Sequence, residues 1–215
     1  VEVWVTNKKG NFDNTQTRNI VAFTDLGEPE KIALPSVSPS MATNGLPANQ
    51  ANSLYPLLVS MPNLRFIDQV TQELSGIMQG GRDYEKVESA RLLNPADYTV
   101  NSILGYISLN MRLSADEVLG IAFEYTYNGQ VYQVGEFSTD RPDNSTENLY
   151  VKLLKGTAMS STSPYWHFMM KNAYQLGGGV YNVQKEKFKL NVFYQSDSAG
   201  VYQPYITEGK IKGQL

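Results

Sequence analysis

Histidine and cysteine, two residue types used in nucleophilic catalysis, are almost absent from this 215-residue chain. His167 is the only histidine, so a Ser–His–Asp hydrolase mechanism would have to use it. It follows Trp166 on a predicted helix whose apolar face contains Trp166, Met169, Met170 and Ala173. This spacing directs His167 to the side of the helix or outward, and we predict no catalytic role for it.

Metal and phosphate sites have equally weak support. Oxygen donors at Asp140, Asp143, Asn144 and Glu147 could bind Ca²⁺, but their spacing differs from a calcium loop and is typical of a solvated turn. The glycines at 177–179 follow a predicted helix, whereas a phosphate loop precedes one. We predict no catalytic, cofactor-binding or metal-binding residue, and no enzyme. A carboxylate pair for glycoside hydrolysis stays open, because no spacing among the 21 acids singles one out.

Composition restricts the functional classes further. No cysteine is present, which excludes disulfide scaffolds and cysteine-based zinc or iron–sulfur sites. Hydrophobic residues make up 41% and charged residues 18%, as in globular proteins. The net charge of −3 and the lack of a basic stripe argue against a nucleic-acid partner. Neither a transmembrane helix nor a signal peptide is predicted.

The clearest structural signal is EYTYNGQVYQVGEF at residues 124–137. Two runs rich in Val, Tyr and Phe flank Asn128-Gly129, a pair that favours a two-residue type I′ turn. We therefore predict a β-hairpin over residues 117–137. Its turn sets three opposed pairs, namely Tyr127 with Gln130, Tyr125 with Tyr132, and Phe123 with Val134.

The remaining pattern predicts an α+β fold, mostly antiparallel β-sheet with about two helices. Alternation predicts further strands at 1–7, 17–27, 102–113, 149–155 and 187–195. Residues 84–93 fit either a helix or a strand, and the alternation of Val87 with charged neighbours favours the strand. Helical spacing predicts a helix over 63–77 with Gly76 near its end. A second helix is predicted from Ser163 as N-cap and Pro164 as first residue to Gly177 just past its end.

Residues 28–62 form a distinct Pro-rich stretch with six prolines. This composition favours an extended or mobile loop, or a linker. The chain contains no internal repeat, and we interpret 1–215 as a single domain that includes this loop. Both ends of the sequence resemble cuts in a longer polypeptide, so we expect a segment of a larger protein.

The hairpin allows a second interpretation. Apolar residues alternate with small or polar ones over residues 119–127, which is also typical of a membrane β-strand. Glu136, however, falls on the apolar face, and the predicted helices and prolines interrupt the pattern. A complete small membrane barrel is therefore less well supported than a sheet packed on helices.

Several blocks of the sequence resemble the SprA/Sov family, the gliding-motility and type IX secretion translocon of the bacterial outer membrane. The blocks are VEVWVTN, TRNIVAFTDLGE, LGYISLNMRLSADEVLGIAFEYTYNGQVYQVGEF, and LLK followed by PYWHFMMKNAYQLG. They occur in order from residue 1 to about residue 200. Members of the family are far longer, which agrees with a segment.

The resemblance implies a non-catalytic domain of a protein-conducting channel built on a very large β-barrel. It implies plug and lateral-gate partner proteins, secreted cargo and the rest of the parent chain as binding partners, and no cofactor. No series of lipid-facing strands long enough for that barrel is present, so we expect no direct membrane insertion by this segment. We expect an outer-membrane location, on the extracellular cap side rather than the periplasmic side, since long loops of such barrels lie outside. The alternative is a surface binding module of carbohydrate or adhesin type with an aromatic-rich face.

Overall fold

The computed structural model describes residues 1–8, 17–141, 146–170, 182–195, 200–206, 210 and 213. The chain divides into two compact units, Val1–Met170 and Lys171–Leu215. The strands of the first unit are β1 Glu2–Val5, β2 Thr17–Phe23, β3 Tyr84–Leu92, β4 Tyr98–Asn101, β5 Tyr106–Leu109, β6 Leu119–Tyr127, β7 Gln130–Val134 and β8 Leu149–Lys155. Its α-helices are α1 Leu54–Val59 and α2 Val70–Glu73. Short 3-10 helices occur at Met41–Thr43, Pro62–Arg65, Pro95–Asp97, Ser138–Asp140 and Pro164–Phe168.

Six strands of this unit form one mixed sheet in the order β1-β3-β2-β8-β6-β7. All pairs are antiparallel except β2 with β8, which run parallel. Strand β1 also pairs with β6, so that Val3 lies opposite Ile121. Five strands therefore close into a ring, and the hairpin of β6 with β7 extends beyond it. Ring closure leaves these five strands no open sheet edge.

Side chains fill the inside of the ring. Most are contributed by alternate residues of the strands, as the two-residue period of a strand requires, and Tyr165 is contributed by the 3-10 helix that follows β8. The buried members of this cluster are Trp4, Ile20, Ala22, Val87, Ala90, Val118, Ala122, Leu149, Val151, Leu153 and Tyr165. Gly120 lies at the tightest point, where an added Cβ would come within 2.7 Å of Cγ2 of Val151. The ring therefore encloses a packed core.

A layer of short helices and loops covers the outer faces of β2 and β8. Its buried cluster comprises Val21, Phe23, Leu26, Leu34, Val37, Leu54, Leu58, Leu64, Val70, Leu74, Met78, Tyr84 and Tyr150. Phe23 packs edge-on against Tyr150, with ring centroids 5.8 Å apart. Burying the outer face explains why β2 and β8 are apolar on both sides.

The Pro-rich stretch 28–62 belongs to this layer and contains α1. The buried carboxylate of Asp25 accepts hydrogen bonds from the backbone N–H groups of Ile32 at 2.6 Å, Ala33 at 2.9 Å and Leu34 at 2.9 Å. The side chain of Asn52 donates to the carbonyl of Asp25 at 2.7 Å. These bonds satisfy buried polar groups and fix the stretch against the ring.

A second layer covers the outer faces of β1 and β6. Its buried cluster is Val3, Val5, Leu93, Leu119 and Ile121. The hairpin of β4 with β5 packs on this cluster through half-buried Tyr98, Ile107 and Leu109. This hairpin pairs with no other strand among the described residues.

The fold class and the central hairpin are confirmed. Asn128 and Gly129 adopt φ values of 51° and 76°, as a type I′ turn requires. The three predicted cross-strand pairs occur in the observed register. The strands predicted at 84–93 and 149–155 correspond to β3 and β8. Strand β1 differs from a half-buried strand, because Trp4 fills the ring while Val3 and Val5 lie under the second layer.

The helix predicted from Ser163 is wrong within its described part. Residues Pro164–Phe168 form a 3-10 helix, and Met169 then has extended dihedral angles. The buried aromatic residue is Tyr165, whose hydroxyl donates to the carbonyls of Gly81 and Ala158. Trp166 is half-buried, and Met169 and Met170 are 41% and 54% exposed. The predicted core position Ala173 and the stop at Gly177 lie outside the described residues.

Two other predicted elements are shorter than expected. The strand predicted at 102–113 is interrupted by a turn, because the Asn101 carboxamide accepts hydrogen bonds from the N–H groups of Ile103 and Leu104. The helix predicted at 63–77 is divided into Pro62–Arg65 and α2 by the extended residue Phe66. Of the apolar residues at helical spacing in this stretch, Leu64, Val70 and Leu74 are buried, Ile67 is half-buried and Ile77 is exposed.

The second unit contains little regular structure within the described residues. Strand β9 Tyr194–Gln195 pairs antiparallel with β10 Tyr202–Gln203, and Lys185–Lys187 form a 3-10 helix. The strand predicted at 187–195 is thus confined to its last two residues. No helix among the described residues of either unit is long and apolar enough to cross a membrane.

Candidate functional site

The residues first considered for catalysis are not brought together. His167 is exposed on the Pro164–Phe168 turn. Of the acidic turn, Asp140 accepts hydrogen bonds from the backbone N–H of Phe137 and from the Gln133 side chain. Glu147 forms an ion pair with Arg141 at 3.0 Å, while Asp143 and Asn144 lie outside the described residues. The described residues hold no group of three or more His, Cys, Asp or Glu side chains placed to bind a metal ion.

The strongest buried polar cluster joins Arg65 to Glu136. Two hydrogen bonds of 2.6 Å and 2.7 Å connect the guanidinium and the carboxylate in a bidentate pair. Tyr55 donates its hydroxyl to the same carboxylate at 3.0 Å. The guanidinium also lies 3.7 Å from the ring centroid of Tyr150, in cation–π geometry. Both charged side chains are more than nine-tenths buried.

Burial and the neighbouring charges shift the pKa values of Tyr55, Arg65 and Tyr150 upward. Burial, followed by the charge of Glu136, raises the pKa of Tyr55 to about 12. Burial alone would lower the pKa of Arg65, but its hydrogen bonds to Glu136 and the carboxylate charge outweigh this effect and raise it. Burial also raises the pKa of Tyr150. None of these groups is therefore poised to exchange a proton near neutral pH.

The cluster connects the first outer layer to the sheet. Arg65 ends a 3-10 helix of that layer, whereas Glu136 follows β7 and accepts a hydrogen bond from the backbone N–H of Tyr150 in β8. Arg65 also donates to the carbonyl of Asn148, and the Asn148 side chain donates to the carbonyl of Leu64. These bonds position structural elements, although Oδ1 of Asn148 and the hydroxyl of Tyr150 are buried without a hydrogen-bond partner.

Lys152 is a second buried charge with an unusual environment. Its ammonium group lies 2.6 Å from the Glu28 carboxylate, donates to the carbonyl of Thr24 and lies 4.2 Å from the ring centroid of Phe168. Burial lowers the pKa of Lys152 to about 8, although Glu28 acts in the opposite direction. A lysine with a lowered pKa is a candidate nucleophile or base. Here only 5% of the side chain is exposed, and its contacts hold Glu28 against β8.

Arg18 is the one buried cation of the ring interior among the described residues. Its alternation with Ile20 and Ala22 on β2 directs it inward, opposite Ala90 of β3. The three guanidinium nitrogens are buried without a hydrogen-bond partner, and so is Nε1 of Trp4. These donor atoms have almost no solvent-accessible surface of their own, and the Arg18 residue as a whole is 8% exposed.

The tip of the β4–β5 hairpin exposes large apolar side chains to solvent. Ile103 and Leu104 in the turn are 92% and 72% exposed, and Val100 on the adjoining strand is 43% exposed. The whole run from Tyr98 to Asn110 contains no charged residue. Large apolar side chains at a protruding turn are unfavourable in water and are typical of contact sites.

A shallow pocket of about 470 Å³ adjoins this tip. Its lining combines apolar and hydroxyl or amide side chains, namely Thr99, Val100, Asn101, Ser102, Ile103, Tyr106 and Ser108. It contains no ionisable side chain other than the Tyr106 phenol, so it offers neither a nucleophile–base pair nor a metal site. We name this tip and pocket together the apolar tip; it is defined by residues 99–108.

The β6–β7 hairpin carries the most prominent aromatic group. The rings of Tyr125 and Tyr132 stack across the strands with centroids 5.4 Å apart, and Phe123 stacks on Tyr125 at 6.2 Å. The hydroxyl of Tyr125 donates to the carbonyl of Pro47 in the Pro-rich stretch. The ring faces are thus turned toward one another rather than toward solvent.

Sequence reasoning missed both buried pairs and the apolar tip. Glu136 gave a usable signal, because an acid on the apolar face of a hairpin requires a buried partner. Nothing in the sequence identified that partner as Arg65, which lies 71 positions away. Compared with protein-family models and with curated proteins, the chain matches none.

Proposed function

We propose that this chain is a non-catalytic domain of an outer-membrane protein-secretion channel of the type IX, gliding-motility kind. In this proposal it acts as a scaffold or cap and contacts partner or cargo proteins on the extracellular side of the outer membrane. The resemblance of the ordered sequence blocks supports the choice of this secretion system. The apolar tip supplies the structural observation on which the contact role rests.

The apolar tip has the properties expected of a protein contact rather than of a reaction site. It presents two large aliphatic side chains on a hairpin that is anchored below by Tyr98, Ile107 and Leu109. Burying an Ile or Leu side chain in an interface contributes about 1.5–3 kcal/mol, so this pair provides a small but sufficient anchor. The rigid ring beneath it holds the hairpin at a fixed place.

The ring itself supports a scaffold role. The ring interior has no room for an added methyl group at Gly120 beside Val151. This unit therefore contributes structure rather than a conduit. The ion pairs of Glu136 with Arg65 and of Lys152 with Glu28 join loops to strands, and Glu28 is the only one of these four side chains exposed to more than a tenth. A channel domain with this architecture would position binding surfaces while another part of the protein forms the pore.

The alternative, a surface binding module for carbohydrate, has weaker support. Sugar recognition by stacking needs an open aromatic face. The Tyr125 ring stacks with those of Tyr132 and Phe123, so it is engaged within the hairpin. Tyr127 is 52% exposed at the end of the ladder, but one ring presents a small platform.

The test is an export assay with the parent protein in its own cells. We expect the double substitution Ile103→Asp and Leu104→Asp to reduce secretion of a reporter that carries the system's C-terminal signal by about tenfold or more, since loss of two buried aliphatic anchors removes several kcal/mol of contact energy. The matched control is Met41→Asp, because Met41 is 88% exposed but lies elsewhere in the first unit. The control is expected to export normally.

Two results would contradict the proposal. Unchanged export with the substituted tip, at a normal level of folded protein, would remove the contact role. Ion conductance across a lipid bilayer by the isolated 215 residues would show that the pore lies in this segment and that its role as a scaffold is wrong.

A further inference from the structure

The segment 187–194 of the second unit has the pattern of a strand without the structure of one. Its sequence KFKLNVFY alternates, so that Phe188, Leu190 and Val192 fall on one face and Lys187 and Lys189 on the other. The three apolar side chains are 45%, 71% and 56% exposed. An alternating segment normally buries its apolar face in a sheet, and this one leaves it open to solvent.

The backbone of this segment also lacks hydrogen-bond partners among the described residues. Within the described residues, the N–H and C=O groups from Lys189 to Phe193 make no hydrogen bond. Unpaired groups in an extended chain are the template onto which another strand adds. Main-chain hydrogen bonds supply the affinity in such complexes, and alternate side chains supply the specificity.

The chain's own hairpin cannot supply the missing strand. The register of β9 with β10 places Tyr194 opposite Gln203, so the next pair would be Phe193 with Pro204. Proline has no N–H to donate and is excluded from the interior of a ladder. The pairing accordingly stops after two residues, and Phe193 instead contacts the edge of Tyr202 at a centroid distance of 6.5 Å.

Charge indicates what kind of strand would fit. The described residues 182–195 carry Lys185, Lys187 and Lys189 against the single acid Glu186. Across a ladder, opposite charges that face each other stabilise the pair and like charges destabilise it. The basic face of the segment therefore selects carboxylates, while its other face selects apolar side chains.

We propose that residues 187–194 bind an extended segment of a partner protein by strand addition, and that carboxylates alternate with apolar side chains in this partner segment. The incoming strand pairs with the backbone groups of residues 189–193, which make no hydrogen bond to the described residues. Its carboxylates face Lys187 and Lys189, and its apolar side chains cover Leu190 and Val192. This inference rests on the proposed function, because it specifies the chemistry of one partner of a contact domain.

The experiment uses the full 215-residue chain and two synthetic peptides of about nine residues, the length of a short strand. One peptide alternates glutamate with valine, isoleucine and phenylalanine, and its twin has lysine in place of every glutamate. We expect calorimetry to show binding of the glutamate peptide at least about tenfold tighter than of the lysine peptide, from two reversed charge pairs and their neighbours.

Three variants sharpen the test. The double reversal Lys187→Glu and Lys189→Glu is expected to invert the preference between the peptides. The matched reversal Lys31→Glu and Lys86→Glu, at two exposed lysines of the first unit, is expected to leave it unchanged. Leu190→Pro removes one backbone donor and is expected to weaken the glutamate peptide about tenfold or more.

Equal affinity for the two peptides, absence of binding, or full binding by Leu190→Pro would each overturn the inference. Each of these results leaves the proposed function standing, because the export assay concerns the apolar tip of the other unit. Conversely, normal export with the substituted tip would remove the proposed contact role without altering the peptide measurements.

Discussion

Strand β6 and the segment 187–195 are the same length and alternate in the same way, yet only one of them forms a strand throughout. Strand β6 pairs with β1, β8 and β7, and its two faces lie against the ring core and the second outer layer. The segment 187–195 pairs over two residues and exposes Leu190 to 71%. Alternation therefore shows that a segment can be a strand, and the available partner decides whether it becomes one.

The two regions should also differ in how much a substitution changes the stability of the chain. In the first unit, loops, strands and buried charges depend on partners that lie far away in sequence. In the segment 187–193, the described contacts are local, namely the turn hydrogen bonds of the Lys187 and Phe188 N–H groups and the ring contact of Phe193 with Tyr202. Substitutions should therefore have large effects in the former region and small effects in the latter, and the following predictions run in that order.

The largest effect is expected from Glu136→Leu. This substitution leaves the buried Arg65 guanidinium without its carboxylate, and breaking such a pair costs about 3–5 kcal/mol. Urea unfolding of the purified chain measures the loss. The exposed Glu30 provides a control, since Glu30→Leu should change stability by less than about 0.5 kcal/mol. If Arg65→Leu combined with Glu136→Leu is as unstable as the sum of the two single variants, the pair is not coupled.

The next largest effect is expected in the pH dependence of the free energy of unfolding, through Lys152. The pKa of Lys152 is lowered to about 8 in the folded chain from an ordinary value of 10.5, so between these values the unfolded chain binds more protons. Stability should therefore rise with pH in this window, by about 2 kcal/mol between pH 8 and pH 10. Tyr55, whose pKa is raised to about 12, opposes this trend only above pH 10.

Lys152→Met isolates this contribution. Burial also lowers the pKa of Lys155, so part of the rise remains in the variant. Denaturant unfolding at several pH values should show a slope that is smaller in Lys152→Met than in the natural chain. Identical slopes would mean that Lys152 keeps its ordinary pKa and that its ammonium group reaches solvent.

Local features of the fold were predictable from sequence, and the Asn128-Gly129 hairpin shows why. Its turn chemistry and its pairing lie within a few residues, so the register followed from the turn alone. The parallel pairing of β2 with β8 and the closure of β1 on β6 join residues more than 100 positions apart. Alternation carries no information on which distant strand becomes the neighbour, so ring closure was not predictable.

The candidate site was less predictable than the fold, again for physical reasons. Ile103 and Leu104 belong to an apolar run that reads as a strand, but the Asn101 side chain bonds to their N–H groups and turns the chain there. Arg65 and Glu136 each look like a surface charge until tertiary packing joins them. The apolar face predicted after Ser163 was out of phase by one residue, because Tyr165 takes the buried position beside Gly156.

A smaller effect is expected at the turn of the β6–β7 hairpin. Gly129 has a φ of 76° and no atom within 4 Å of an added Cβ, so only the backbone opposes a side chain there. Gly129→Val should lower the free energy of unfolding by about 1 kcal/mol or more, because a β-branched residue is strained at positive φ. Gly129→Asn is the control and should cost less, since Asn tolerates this region. Equal melting temperatures for the natural chain and Gly129→Val would contradict the turn assignment.

The smallest effect is expected at Leu190, and it tests the comparison most directly. Leu190→Ala removes side-chain atoms that are 71% exposed, so the stability of the free chain should change by less than about 0.5 kcal/mol. The same change at the fully buried Leu153 of β8 should cost about 2–5 kcal/mol, because it leaves a cavity in the ring core. With the glutamate peptide bound, Leu190 becomes a cross-strand contact, so Leu190→Ala should weaken peptide binding severalfold while unfolding of the free chain stays unchanged. A large loss of stability at Leu190 without peptide would show that the segment is already packed against the chain and that its strand face is not available to a partner.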